Sequence, residues 1–138
     1  ISCNGPEDVF MELTGNYSFR KKHREIKKKY DSLIERAKKF AISEVIFFAY
    51  SGELSVSADI SNELSYLYPK KYIIVAYKKG SVTNLSLRGK NVKRLLESIL
   101  KKLEDAMGGG HEDAVGARIK TDDLDKFRDY FIEEVKKK

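Results

Sequence analysis

The sequence predicts an α/β fold in which a mixed β-sheet is covered by helices. Three observations support this prediction: strand-length apolar runs at residues 45–50 and 72–77, segments of helical periodicity around them, and a Lys79-Gly80 turn typical of a hairpin. The elements follow in the order helix, strand, helix, hairpin, helix, glycine loop, strand and helix. Such interleaving of helices and strands is typical of an α/β sandwich.

The composition is that of a globular protein with a hydrophobic core. The chain has 138 residues, of which 41% are hydrophobic and 35% charged, and this length suits one domain. No apolar run approaches the ~20 residues of a membrane span, and no signal-peptide pattern is present. We therefore expect a cytoplasmic protein without a membrane partner, and the single cysteine, Cys3, agrees with this. The net charge of +6 favours an anionic partner.

Residues 1–41 are expected to form an N-terminal segment and a connector helix, followed by a domain at residues 42–138. Apolar residues recur at helical spacing from Tyr17 to Phe40. The opposite face of this helix is rich in lysine and arginine. It could bind a phosphate backbone, but a solvated face fits better because no aromatic residues for base stacking are interleaved. His23 falls on the inner stripe, where packing explains it.

The first strand and the second helix lie next along the chain. The uninterrupted apolar run at residues 45–50 is typical of a strand that is buried on both faces. Ser57 is expected to cap the following helix and Pro69 to end it. The inward residues predicted for this helix are Ile60, Leu64 and Leu67.

Period-two alternation divides residues 81–88 into an apolar side and a polar side. Leu85 and Leu87 share the apolar side, and the polar side carries Asn84, Ser86 and Arg88. An ordinary half-exposed strand has the same pattern. The arginine at the end of the polar face is the feature that also fits the binding of an anion.

A glycine segment follows the third helix, which Asn91 is expected to cap and which should end near Met107. Three successive glycines, residues 108–110, are costly in a helix or strand, so we expect a loop whose amides converge on an anion. Residues 112–116 should form a short helical turn that favours the anion at its N-terminus, and His111 would donate a hydrogen bond to phosphate. Alternatively, the glycines form only a helix cap and a turn.

The chain should end with a short strand at residues 117–119 and a helix capped by Thr121. Leu124, Phe127, Phe131 and Val135 form the predicted buried stripe of this last helix. The glycine segment does not match a Walker loop, because the lysine and the serine or threonine that should follow the last glycine are missing.

Residues 108–119, GGGHEDAVGARI, resemble the glycine-histidine motif of the DHH-associated domain. This is the C-terminal domain of DHH phosphoesterases, which include RecJ-like single-strand exonucleases and nanoRNA or cyclic-dinucleotide hydrolases. The usual Ala-Ala pair of the motif is Ala114-Val115 here. A second family element, a strand that ends in Ser-Leu-Arg, appears as residues 86–88. Among these proteins the sequence is most similar to the archaeal RecJ-like members.

The resemblance implies a domain that captures substrate and does not cleave it. The substrate-binding residues that it implies are Ser86, Arg88, Gly108, Gly109, Gly110 and His111. Cleavage would belong to an N-terminal DHH catalytic domain in cis that holds manganese. No Asp-His-His sequence occurs here, so we expect no catalytic residue, metal site or cofactor in this chain, and an inactive isolated chain. The expected ligand is single-stranded DNA or RNA, as for an exonuclease of DNA repair.

Two alternatives remain open at this point. The chain could be an RNA-binding module related to the C-terminal domain of alanyl-tRNA synthetase, although the motif of that domain normally lacks a histidine after the glycines. It could also be a structural or dimerisation domain, in which the glycines form only a turn.

Overall fold

The computed structural model describes residues 17–137, with side chains from residue 22 onward. Within these residues the fold has four helices and five strands, together with a short 3-10 turn at Thr121–Asp123. The helices are α1 (Tyr17–Lys38), α2 (Ser57–Leu67), α3 (Val92–Leu100) and α4 (Leu124–Lys136). The strands are β1 (Val45–Ser51), β2 (Tyr72–Lys79), β3 (Val82–Arg88), β4 (Met107–His111) and β5 (Ala114–Lys120).

The five strands form one mixed sheet in the order β1-β2-β3-β5-β4. β1 and β2 are parallel, as the intervening helix requires, and the remaining pairs are antiparallel. The predicted mixed sheet covered by helices is confirmed, and so is the hairpin of β2 and β3.

The hydrophobic core has one part on each face of the sheet. On the first face, α1 and α2 cover β1 and β2, and the fully buried residues there include Ile46, Ile60, Leu64 and Ile73. On the second face, α3 and α4 cover the centre of the sheet and β5. The predicted stripe of α4 belongs to this second part, with Phe127 and Phe131 fully buried.

Strand β1 lies at the edge of the sheet, so its predicted burial on both faces is wrong. Its odd and even residues alternate: Ile46, Phe48 and Tyr50 are buried, whereas Val45, Phe47 and Ala49 are only partly buried. The reason is its position, because the second face is less completely covered there, with the guanidinium of Arg128 lying 5.9 Å from the ring centroid of Phe47. Leu67, at the end of α2, is likewise 42% exposed, although an inward position was predicted.

Helix α3 ends at Leu100, several residues before the predicted end near Met107. Asp105 has a positive φ of 54°, which no helix accommodates, and the chain then pairs with β5. Asn91 is the residue before α3, but its side chain makes no capping hydrogen bond. The Thr121 hydroxyl also does not cap its helix, and bonds instead to Thr83 and the carbonyl of Gly80.

The glycine segment forms strand β4, where a loop was predicted. A two-residue turn joins it to β5, which begins at Ala114, so the predicted helical turn at residues 112–116 is wrong. The physical reason is close backbone approach: a Cβ on Gly108 would lie 2.6 Å from the carbonyl oxygen of Gly116. Glycine here permits a tight hairpin whose hydrogen bonds offset its entropic cost.

Candidate functional site

Arg88, at the end of β3, is held in place by neutral acceptors on three elements. Its Nε donates to Oδ1 of Asn62 on α2 at 2.8 Å. Its Nη1 donates to the hydroxyl of Ser86 at 3.1 Å and to the carbonyl oxygen of Leu87 at 2.8 Å, and lies 3.5 Å from the carbonyl oxygen of Val115 on β5. The side chain is half-buried. These bonds fix the plane of the guanidinium against helix α2.

The hydroxyls behind Arg88 form a chain of hydrogen bonds with one direction. Ser61, on α2, donates to the carbonyl oxygen of Ala58 at 2.9 Å, and it lies 2.7 Å from the Ser86 hydroxyl. Because each hydroxyl has one proton, Ser86 must donate to Ser61, which leaves the oxygen of Ser86 free to accept from Arg88. Ser86 is only 5% exposed, and its hydroxyl is engaged within the protein.

Arg88 keeps its positive charge without a carboxylate partner among the described residues. Burial lowers the pKa of its guanidinium, and burial is the only cause of that shift. Arginine remains protonated at neutral pH even so. Nη2 makes no hydrogen bond to the residues that the structure describes. A partly desolvated cation with a donor to spare is a favourable partner for an anion.

The register of the strands shows which residues share a face with Arg88. Directly opposed residues of an antiparallel pair lie on the same face of the sheet. Three rows cross β3, β5 and β4 in turn: Arg88–Ala114–His111, Ser86–Gly116–Gly109 and Asn84–Arg118–Met107. The face to which they belong is the one that α1 and α2 cover further along the sheet.

The part of this face formed by β4 and β5 is exposed, and we call it the open shelf; it carries Met107, Gly109, His111, Ala114, Gly116 and Arg118. A Cβ on Gly109 would have nothing within 4 Å, and one on Gly116 would meet only the carbonyl oxygen of Leu85 at 3.6 Å. Space is therefore free above both glycines. A ligand can approach the backbone there as closely as van der Waals contact allows.

The three glycines of β4 differ in their surroundings. Gly109 lies on the open shelf, whereas Gly108 and Gly110 are paired with the buried residues Ala117 and Val115 and face the other layer. Gly110 has a φ of 146°, and a Cβ there would lie 2.7 Å from the carbonyl oxygen of Ala114. Gly108 and Gly110 thus shape the hairpin, and Gly109 opens the surface.

The turn between β4 and β5 is docked on the loop that follows Arg88. The carboxylate of Asp113 accepts a hydrogen bond from the backbone N–H of Asn91 at 2.9 Å, and its carbonyl accepts one from Gly89 at 3.0 Å. The backbone N–H of Lys93 donates to the carbonyl of Glu112 at 3.1 Å. This docking keeps His111 and Arg88 at the same end of the sheet.

The structure thus brings Ser86, Arg88, Gly109 and His111 to one face and places Gly108 and Gly110 on the other. His111 is exposed at the end of β4. Sequence reasoning missed Asn62 and Ser61, although a serine inside the apolar stripe of α2 was a usable signal. It also missed Arg118, which alternation would have assigned to the face of Gly116 had β5 been predicted to begin at Ala114.

The open shelf is shallow, and a larger cavity of about 750 Å³ lies elsewhere, between α1 and the loop after β1. Both signs of charge line that cavity, including Lys28, Arg36, Glu25 and Glu53. We place the candidate site on the shelf, because Arg88 lacks a carboxylate there among the described residues. His23 is half-buried on α1, as predicted.

Two further properties concern the described residues alone. No group of three histidine, cysteine, aspartate or glutamate side chains within residues 22–137 is arranged to hold a metal ion. None of the helices within residues 17–137 is both long enough and apolar enough to cross a membrane.

A family profile described as the DHHA1 domain matches residues 37–137 of the chain. No curated protein sequence matches this chain significantly. The solved structures give several similar folds, all at sequence identities that establish the fold alone.

One similar structure is RecJ in complex with Mg²⁺ from Thermus thermophilus, with a TM-score of 0.68 and 12% identity. It covers 83% of this chain, which spans 18% of the RecJ chain. A pGpG-specific phosphodiesterase, PggH from Vibrio cholerae, has a TM-score of 0.57 and 16% identity. The match covers 84% of this chain and 42% of the PggH chain. The C-Ala domain of Aquifex aeolicus alanyl-tRNA synthetase has a TM-score of 0.57 and 17% identity. The match covers 64% of this chain and 87% of the C-Ala chain.

Proposed function

The chain belongs to the DHHA1 domain family, and we propose that it is the substrate-binding domain of a DHH-type phosphodiesterase that acts on single-stranded DNA or RNA. The parent would be a RecJ-like exonuclease. The catalytic chemistry is assigned to a DHH domain in cis, where manganese would be held, and the isolated chain is inactive. Residues 1–41 would supply the connector and residues 42–138 the binding domain.

The observation that carries this proposal is that the guanidinium of Arg88 is oriented by neutral acceptors while its Nη2 makes no hydrogen bond to the described residues. A phosphate oxygen placed on the open shelf next to Arg88 would receive a charge-assisted hydrogen bond from Nη2 without displacing any bond that now orients the guanidinium. Asn62 and Ser86 keep the fork in a fixed plane, so little side-chain entropy is lost on binding. Ser86 contributes through Arg88, since its own hydroxyl is buried.

The glycines and His111 complete the site. Gly109 leaves room for a phosphate or sugar against the backbone, and Gly108 and Gly110 hold the strand in a hairpin that only glycine permits. His111 lies in the same row as Arg88 with Ala114 between them. Two interstrand steps of ~4.8 Å separate their backbones by about 10 Å, so both side chains can reach one terminal nucleotide from opposite sides.

The test is binding of 5′-phosphorylated single-stranded oligonucleotides to the purified chain, measured by fluorescence anisotropy. Loss of a charge-assisted contact costs about 1.5–3 kcal/mol, so Arg88→Ala should weaken binding roughly 10- to 100-fold. His111→Ala should weaken it less. Arg94→Ala removes an equal charge from an exposed position on α3 in the other layer and serves as the matched control.

Unchanged affinity of a folded Arg88→Ala variant would favour a purely structural domain. Preference for intact tRNA over short oligonucleotides would favour the synthetase-like function, for which the C-Ala similarity is the supporting observation. Incubation of the chain with manganese and a labelled oligonucleotide should give no cleavage. Cleavage there would contradict the assignment of chemistry to another domain.

A further inference from the structure

The open shelf carries a second arginine, Arg118, at the end away from Arg88. Arg118 lies on β5 two residues beyond Gly116 and is paired with Asn84, a residue on the polar side of β3. It is exposed, and it forms no ion pair with the residues that the structure describes. Asp105 and Asp122 border the same shallow surface, but Asp105 is already paired with Lys120 at 3.4 Å.

The floor between the two arginines has no obstructing side chain. Gly116 and Gly109 occupy the row between the row of Arg88 and the row of Arg118, and the space above both glycines is free. We call the strip of the open shelf between the two cations the trough; it runs along the direction of the strands.

The register gives the length of the trough. Arg88 is opposite Ala114, and Arg118 follows four residues later on β5. With ~3.3 Å per residue along a strand and ~4.8 Å between strands, the two Cα atoms are about 14 Å apart. A stacked strand of nucleic acid advances about 3.4 Å per nucleotide, and an extended strand advances further. The phosphate at Arg118 therefore lies at most about four nucleotides from the phosphate at Arg88.

We propose that Arg118 is a second phosphate contact that makes this site prefer a single strand of several nucleotides over a mononucleotide or dinucleotide. The inference rests on the proposed function, because it takes the Arg88 end of the trough as the place where the terminal phosphate binds. A dinucleotide held at Arg88 is too short to gain the contact with Arg118.

The experiment is a length series of 5′-phosphorylated oligonucleotides from one to about six nucleotides, bound to the wild-type chain and to Arg118→Ala, Arg118→Lys, Arg88→Ala and Arg94→Ala. Wild-type affinity should increase stepwise once the strand reaches Arg118, by roughly fivefold or more. Arg118→Ala should abolish that step and leave mononucleotide affinity unchanged. Arg118→Lys should retain part of the increase in affinity, because lysine keeps the positive charge but lacks the two parallel N–H donors of the guanidinium.

Salt dependence gives an independent measurement. The logarithm of the association constant falls linearly as the logarithm of the salt concentration rises. Removing one phosphate contact to a single strand should make this negative slope shallower by about 0.7. For Arg118→Ala this change should occur only with the longer strands. Arg94→Ala should change neither the length step nor its salt slope.

Two outcomes would overturn the inference. Equal weakening of the mononucleotide and the longest strand by Arg118→Ala would mean that Arg118 acts only through the general field of the protein. Wild-type affinity of Arg118→Ala at every length would mean that it contacts no phosphate. In both cases the affinity of Arg88→Ala still tests the proposed function separately. Failure of the wild-type chain to bind any of these ligands would refute the inference about Arg118 and the proposed function together.

Discussion

Asn62 and Arg88 are joined by a hydrogen bond of 2.8 Å that links helix α2 to the end of strand β3. The acceptor is a neutral amide at a position where a carboxylate of the same shape would fit. An amide orients the guanidinium and leaves its charge available, whereas a carboxylate would neutralise it. The arrangement therefore favours an anion that comes from outside the domain.

Asn62→Asp should consequently weaken ligand binding without harming the fold. The introduced carboxylate would pair with Arg88 and compete with phosphate, so we expect a loss of roughly 10-fold or more in affinity, or about 1.4 kcal/mol. Titration of the variant with a 5′-phosphorylated oligonucleotide measures this loss. Asn62→Ala, which only removes the acceptor, should lose less, and an Asn62→Asp variant that binds as well as the wild type would show that Arg88 is not the contact.

The pair of buried hydroxyls Ser61 and Ser86 should show strong energetic coupling. Ser86→Ala removes the donor to the buried Ser61 oxygen and one of the acceptors of Arg88, and an unsatisfied buried group costs about 1–3 kcal/mol. The double variant Ser61→Ala/Ser86→Ala should cost less than the sum of the two single variants, because it removes both polar groups together. Urea denaturation of the four proteins gives the coupling energy, and simple additivity would contradict the hydrogen-bond chain.

Alanine substitutions at two glycines of β4 should have different effects: at Gly110 the substitution should reduce stability, and at Gly109 it should reduce binding. Gly110→Ala places a Cβ 2.7 Å from a backbone oxygen at a φ of 146°, and we expect a destabilisation of about 2 kcal/mol or more. Gly109→Ala meets nothing within 4 Å, so its stability should be equal to or slightly above that of the wild type. Its methyl group would occupy the open shelf and reduce oligonucleotide affinity.

Thermal or urea unfolding and anisotropy on the same two preparations check this division. A stable Gly109→Ala variant with wild-type affinity would remove the close backbone approach from the proposed site. A Gly110→Ala variant as stable as the wild type would mean that the hairpin does not require glycine at that position.

Two tyrosines on the first face should make the fold sensitive to alkaline pH. Burial, and then the hydrogen bond from its hydroxyl to Glu63 at 2.8 Å, raises the pKa of Tyr30 well above its ordinary value. Burial also raises the pKa of Tyr50. As the pH rises past about 10, the unfolded chain releases these protons while the folded chain keeps them, so stability contributed below that pH is lost.

The stability difference between wild type and Tyr30→Phe should therefore decrease as the pH rises from about 8 to 11. Urea denaturation across this range measures it, and the slope is informative even though the lost bond to Glu63 shifts the whole curve. Tyr66→Phe, at a residue that is 83% exposed, controls for the loss of a phenol as such. A Tyr30→Phe difference that does not change with pH would contradict the role given to Tyr30.

The sequence was informative where the side-chain pattern itself determines the structure. Alternation alone separated Leu87 from Arg88, because each strand position can face only one layer. It failed at β4, since glycine carries no side-chain periodicity and its usual cost in strands argued for a loop. Asn62 could not have been assigned to Arg88 in advance, because that contact depends on how α2 crosses β3.

The position of β4 also has a consequence for motion. It is the outermost strand on its side of the sheet, it pairs only with β5 among the described residues, and three of its five residues are glycine. Glycine adds no packing to a strand and raises the entropy gained on opening. The amides of β4 should exchange with solvent well before those of β2, so Gly109 and His111 lie on an edge segment that opens early, whereas Arg88 lies on the inner strand β3.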